Sequence, residues 1–150
     1  MRPAQTEDAS AIAVLIRSAF AGLAVIPPPS ALGETAESVA RRLAEGGGAV
    51  AEAEGRIVGA VLWDVRGESF HLGRLAVSPS WRRRGIGRAL VEAGGVEARR
   101  HGLRRVELGT RLALTDNRRL FASCGFRETT RHCHEGFTEE TWVSLERVLE

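Results

Sequence analysis

The stretch "SFHLGRLAVSPSWRRRGIGRALVEA", residues 69–93, changes character twice. Its first part, up to Val77, is rich in strand formers, and Pro79, which cannot donate into a ladder, ends it. From Gly85 onward Ile86, Ala89, Leu90 and Ala93 fall on one face of a helix running to Arg99-Arg100-His101 before Gly102, a basic last turn followed by a glycine stop. The loop between strand and helix therefore leaves bare amides at a positive helix terminus, where anions bind. Glycines at 85 and 87 let a ligand approach the backbone without a Cβ in the way. The next β-rich run, "RRVELGT" (104–110), completes a strand-helix-strand unit, which implies a parallel strand pair with a right-handed crossover.

Working outward, Ile12, Leu15, Ile16 and Ala19 recur at helical spacing within residues 6–20, with Thr6 the expected N-cap. The proline loop "IPPPSALG" (26–33) breaks that helix. A second one is expected from a cap at Thr35 through Val39, Ala40 and Leu43 to the Gly46-Gly47-Gly48 run. Two β-rich runs around Glu54-Gly55 predict a hairpin, and a turn at Arg66-Gly67 leads into the strand 69–77. Downstream, "TDNRRLFASCG" (115–125) predicts a short helix closed by glycine, then "FRETTRHC" and "TWVSLERVL" a final strand pair. The expected architecture is one α+β domain over 1–150, a mixed, mostly antiparallel sheet flanked by helices. Gly94-Gly95 inside a helix should cost about 1 kcal/mol each relative to alanine. Close packing on the sheet would account for them.

Composition narrows the function. A hydrophobic fraction of 43% and a charged fraction of 27% suit a water-soluble globular chain, and no apolar run reaches membrane-spanning length. No basic leader with a cleavage site is visible, and two cysteines are too few for a disulfide framework, so a cytoplasmic setting is expected. All strongly basic side chains are arginines, yet the net charge is only +2 and Trp81 is the sole aromatic among the 82–84 arginines, which argues against nucleic acid. "RHCHEGF" (131–137) places His132 and His134 on one face of a strand with Cys133 on the other. Two ligands do not close a tetrahedral site, so no metal is expected.

With these residues in view, "LAVSPSWRRRGIGRALVEA" resembles the acyl-CoA motif of the GNAT N-acetyltransferases, Q/R-x-x-G-x-G/A, with Arg82, Gly85 and Gly87 at its fixed positions. "NRRLFASCGF" (117–126) is similar to the family's later motif, and the order of elements agrees over essentially the whole chain. The resemblance implies acetyl-CoA as co-substrate and an amine as acceptor, with splayed parallel strands carrying Val77 and Leu108. It implies that the backbone of Leu75, Ala76 and Val77 pairs with the pantetheine arm and polarises the thioester carbonyl. The amides of Arg82, Arg83, Arg84, Gly85, Ile86, Gly87, Arg88 and Ala89 would then cradle the pyrophosphate. The family often forms homodimers, a point on which these residues are silent.

Catalytic groups follow the same comparison. Counting back five positions from Ala76, where some relatives carry a glutamate base, gives His71, whose reference pKa near 6.5 suits proton abstraction at neutral pH. Glu107 and Asp64 are further candidates. The family tyrosine that protonates the departing thiolate is replaced by Phe121, and the chain contains no tyrosine. Release to solvent, Ser123 or Cys124 is expected instead, since a thiol of pKa about 8.5 leaves tolerably unassisted. The family asparagine has its nearest counterpart in Asn117, a cofactor contact by resemblance but by its local sequence a helix N-cap. The departures leave two expectations open: an N-acetyltransferase working by direct attack in a ternary complex, or an acyl-CoA-binding regulatory module with little turnover. The loops 26–33 and 134–140 are expected to line the acceptor pocket.

Overall fold

The computed structural model describes residues 1–150. Seven strands form one sheet in the order β1-β2-β3-β4-β5-β7-β6: β1 Arg2–Pro3, β2 Gly47–Ala53, β3 Arg56–Arg66, β4 Ser69–Val77, β5 Arg105–Arg111, β6 Arg127–His132 and β7 Trp142–Val148. Every neighbouring pair is antiparallel except β4-β5. Four helices flank it: α1 Ala9–Ala21, α2 Ala36–Glu45, α3 Ile86–Arg100 and α4 Thr115–Ser123. The mixed α+β architecture is the expected one. No helix is long and apolar enough to cross a membrane.

The alternation of β-strand side chains divides the apolar residues between two cores. On one face α1 and α2 bury Ile12, Ile16 and Val39 against Val50, Ala60, Leu62 and Ala76. On the other, α3 and α4 bury Leu90, Val91 and Phe121 against Val61, Phe70, Leu72, Val106 and Leu108. Each large aliphatic side chain so enclosed contributes roughly 1.5–3 kcal/mol. Gly94 sits where α3 meets β4: a Cβ there would lie 2.6 Å from a Leu72 methyl, so close packing does account for it. Gly95 has only an ordinary contact, 3.8 Å from Leu149, and no comparable reason.

Two local expectations are corrected. Thr6 is not the cap of the first helix. A short 3-10 turn, Thr6–Asp8, precedes α1, and the Asp8 carboxylate accepts from the Gln5 amide. Asp8 is also gripped by both ends of the Arg2 guanidinium at 2.8 and 2.9 Å, which ties the two-residue strand β1 to the start of α1. Thr35, by contrast, caps α2 as expected, exchanging hydrogen bonds with Ser38.

The feature that makes a site is the separation of β4 from β5. Their parallel pairing runs only from Ser69↔Arg105 to His71↔Glu107. Immediately beyond, β4 carries a bulge: Leu62 opposes Gly73 and Ala60 opposes Ala76, so three steps along β4 match two along β3. Arg74 takes the extra residue's strained conformation, φ +54°. Its guanidinium is held there by Glu34, a carboxylate only 4% exposed, at 2.7 Å. The bulge bends β4 off β5, and the edge facing β5 is left without a strand partner from Leu72 to Val77.

Candidate active site

A cavity of about 500 Å³ occupies this gap and passes through the sheet. On the α3/α4 side it is walled by Leu72, Leu75, Val91, Leu114, Asn117 and Phe121. On the α1/α2 side it is walled by His71, Glu107, Gly109 and Arg111 from the strands, with Pro29, Ser30, His134 and Trp142 above them. The loops containing 26–33 and 134–140 thus both reach it, as the sequence suggests. They are pinned in place: the Arg111 guanidinium donates to the Pro27 and Pro28 carbonyls, and the Thr141 hydroxyl accepts from the His134 amide.

The loop after β4 leaves a run of backbone amides without acceptors. Ser78, Trp81 and Arg82 donate their amides to Val58, Ser78 and Pro79, and the first amide bonded within α3 is that of Ala89, to Gly85. The amides from Arg83 to Arg88 have no backbone acceptor. Arg83 and Gly85 both have positive φ, +63° and +80°, the alternation by which successive N–H groups form an anion-binding nest, here at the positive end of α3. The sequence expectation of an 82–89 cradle is therefore trimmed at both ends, because Arg82 and Ala89 already spend their donors. The arginine side chains divide. Arg84 stacks on Trp81 at 4.5 Å, and Arg88 donates to the Ser123 carbonyl and hydroxyl, tying α3 to α4. The side chains of Arg82 and Arg83 make no hydrogen bond or ion pair within the protein.

The open edge of β4 is likewise narrower than expected. Since Ser78 donates to Val58, the alternation of an antiparallel ladder turns the Ala76 amide and carbonyl toward Ala60. Leu75 and Val77 face the gap; Ala76 does not.

His71 stands at the waist of the passage, level with Glu107 on β5 and Asp64 on β3. Its Nδ1 lies 3.6 Å from Asp64 Oδ1, beyond direct hydrogen-bond reach, while the other Asp64 oxygen accepts from Arg66. Burial, reinforced by Arg66, pushes the imidazole below its ordinary pKa against the opposing pull of Asp64. The shift favours the neutral imidazole, the form that can accept a proton. Glu107, half-buried, makes no ion pair and sits directly opposite Glu146 of β7.

Asn117 is not an N-cap. Leu114 holds that position, and Asn117 lies in the first turn of α4, facing the cavity. Neither expected proton donor lines the passage. The Ser123 hydroxyl is occupied by Leu120 and Arg88, and Cys124 is buried in the core, its thiol raised by burial. His132 and His134 do not share a strand face either. β6 ends at His132, which stacks on Trp142 at 3.9 Å and meets the Ser144 hydroxyl through Nε2, whereas His134 lies in the following loop against Thr141. No three His, Cys, Asp or Glu side chains gather as a metal site requires. The β4 bulge, Arg111 and Trp142 were not foreseen; Gly73 inside a strand is the one sequence signal that marks the bulge.

A cradle of unbonded amides leading into a split between parallel strands is matched at the sequence level. The model of the acetyltransferase (GNAT) family fits residues 18–126. The chain belongs to the GNAT acetyltransferase family. Solved structures agree in fold. The ribosomal-protein-S18-alanine N-acetyltransferase from Escherichia coli superposes with a TM-score of 0.79 at 22% identity, covering 98% of this chain and 91% of that one. The yncA protein of Salmonella typhimurium, solved with its cofactor acetyl-CoA, gives 0.77 at 23% identity over 99% and 92%. A GNAT-family acetyltransferase from Streptococcus pneumoniae gives 0.80 at 18% identity over 99% and 98%. No curated protein matches this GNAT chain.

Proposed function

We propose that this GNAT protein transfers an acetyl group from acetyl-CoA to a primary amine of a small molecule or peptide, by direct attack while both substrates are bound. The observation that carries the reading is the passage itself: the split between β4 and β5 joins a cofactor half and an acceptor half through the sheet. The diphosphate of acetyl-CoA would lie on the 83–88 amides, and the pantetheine arm along Leu75 and Val77. Its thioester would then reach the level of His71, which takes the proton of the attacking amine at Nε2. An open-edge amide of β4 stabilises the carbonyl oxygen as it becomes anionic, and the tetrahedral adduct collapses with departure of the CoA thiolate. No cysteine lines the passage, Cys124 being buried and Cys133 exposed on the outer loop, so no thiolate is placed to accept the acetyl group first.

The test is thiol release from acetyl-CoA across a panel of amines, alongside calorimetric binding of acetyl-CoA. Release that depends on both substrates supports transfer. The replacement of the family tyrosine by Phe121 favours a second reading, a CoA-binding module, which tight binding without release to any amine would establish. Absence of acetyl-CoA binding would overturn both.

A further inference from the structure

The acceptor half of the cavity carries two charges that the protein itself leaves unbalanced. Four ionised side chains line it, Arg66, Arg74, Arg111 and Glu107. Arg66 is matched by Asp64 and Arg74 by Glu34. Arg111 and Glu107 have no ion-pair partner. Arg111 donates to two proline carbonyls, which fix its position without neutralising it, and leave three of its five N–H donors unassigned. It is partly buried, and burial alone lowers its pKa, so the site carries a desolvated cation.

The strand fixes how these charges are arranged. Residues 107, 109 and 111 share a face of β5, which places Glu107 and Arg111 on the order of 13 Å apart along the backbone. Gly109 between them has no side chain, and the Trp142 ring covers it, 3.1 Å from where a Cβ would be. Glu107 is level with His71, and Glu146, directly opposite on β7, is already matched by Arg127 and Arg105, so Glu107 is the carboxylate left without a partner. The acceptor half therefore has an acidic end beside the base, an apolar middle and a basic far end.

Building on the proposed acetyl transfer, we infer that the acceptor is a small amino acid-like zwitterion whose ammonium group enters at Glu107 and whose carboxylate is held by Arg111. Arg111 is then a specificity-determining residue, and an acceptor lacking the anionic group forgoes its only charged anchor at that end. A volume of about 500 Å³ for both halves suits a small molecule.

The experiment compares matched pairs: 4-aminobutyrate, 6-aminohexanoate and glycyl-leucine, each against its carboxamide, with acetyl-CoA binding measured in parallel. The expected result is a kcat/KM higher by roughly tenfold for the acid of at least one pair. Arg111→Gln, which can still donate to Pro27, should bring that ratio near one, chiefly by lowering kcat/KM for the acid. Arg111→Lys should keep part of the preference. Calorimetry of the N-acetylated acids and carboxamides in the presence of CoA reads the same discrimination without turnover. Equal use and equal binding of acid and carboxamide, with acetyl-CoA affinity intact, would sink this inference alone. Arg111→Gln slowing both members equally would show a purely structural role, and loss of acetyl-CoA binding in the parent protein would sink the proposed function together with it.

Discussion

Alanine at Gly85 separates backbone anion binding from the effect of nearby arginines. Gly85 precedes α3 with φ +80°, and a Cβ there would meet nothing within 4 Å, so the whole effect of the substitution is conformational. A Cβ in the left-handed region costs roughly 1–2 kcal/mol. The loop can relieve that strain only by rotating residues 83–86, which scatters the converged N–H groups. Gly102 is a matched control: it follows the other end of α3 with φ +72°, its Cβ position is equally open, and some 22 Å of helix separates it from the cradle. Gly102→Ala should therefore lose about 1–2 kcal/mol in urea unfolding, and Gly85→Ala less, because its loop relaxes in the free protein and the remainder appears on binding. Only Gly85→Ala should bind acetyl-CoA more weakly, by about five- to thirtyfold, the strain energy expressed as affinity. Isothermal calorimetry at two salt concentrations makes the comparison. If the two variants bind acetyl-CoA with equal affinity, the amides of 83–88 are not what holds the diphosphate, and Arg82 and Arg83 become the better account.

Three further outcomes are expected. His71→Gln should lower kcat/KM by about 10²–10⁴-fold and abolish the fall in rate on acidification, which in the parent protein lies below pH 6.5 because burial depresses the imidazole pKa; an unchanged acid limb would remove His71 from proton transfer. Phe121→Tyr should raise turnover with acetyl-CoA affinity nearly unchanged, since the ring borders the cavity one turn from Asn117; a drop in thermal stability together with slower turnover would show that the hydroxyl is forced into the core against Phe126, 6.1 Å away. Glu34→Gln should destabilise the fold by about 3 kcal/mol, the low end for a broken buried pair because Arg42 and Arg74 keep access to water. For Glu34, burial raises the carboxyl pKa but hydrogen bonds from Ser38 and Arg74 outweigh it, and Asp8 is held down chiefly by its bond from Arg2. Both folded pKa values are depressed, so the stability they contribute is full above about pH 4.5 and declines as pH falls further. Acid titration monitored by circular dichroism checks this, and Glu34→Gln should flatten the decline.

Local pattern was enough for the elements and their order. The boundaries of β4, Ser69–Val77, follow from Pro79 and the turn at Arg66-Gly67, and the start of α2 follows from Thr35, because caps and turns are decided by neighbours in the chain. The 83–88 cradle was legible for the same reason, as glycine spacing beside a helix start. What failed were two cap assignments: Asp8, bonded to Arg2 of β1, holds the position before α1, and Asn117 lies within the first turn of α4.

The acceptor half belongs to the tertiary structure. His71, Glu107, Arg111 and Trp142 lie on three different strands, and strand register alone sets them side by side. The bulge that opens the gap carries Arg74, which is bonded to Glu34, forty positions away. The sequence by itself determined which segment presents unbonded amides at the start of α3, since that needs only consecutive residues. Strand register and the packing of loops distant in sequence decided which charged side chains share the cavity.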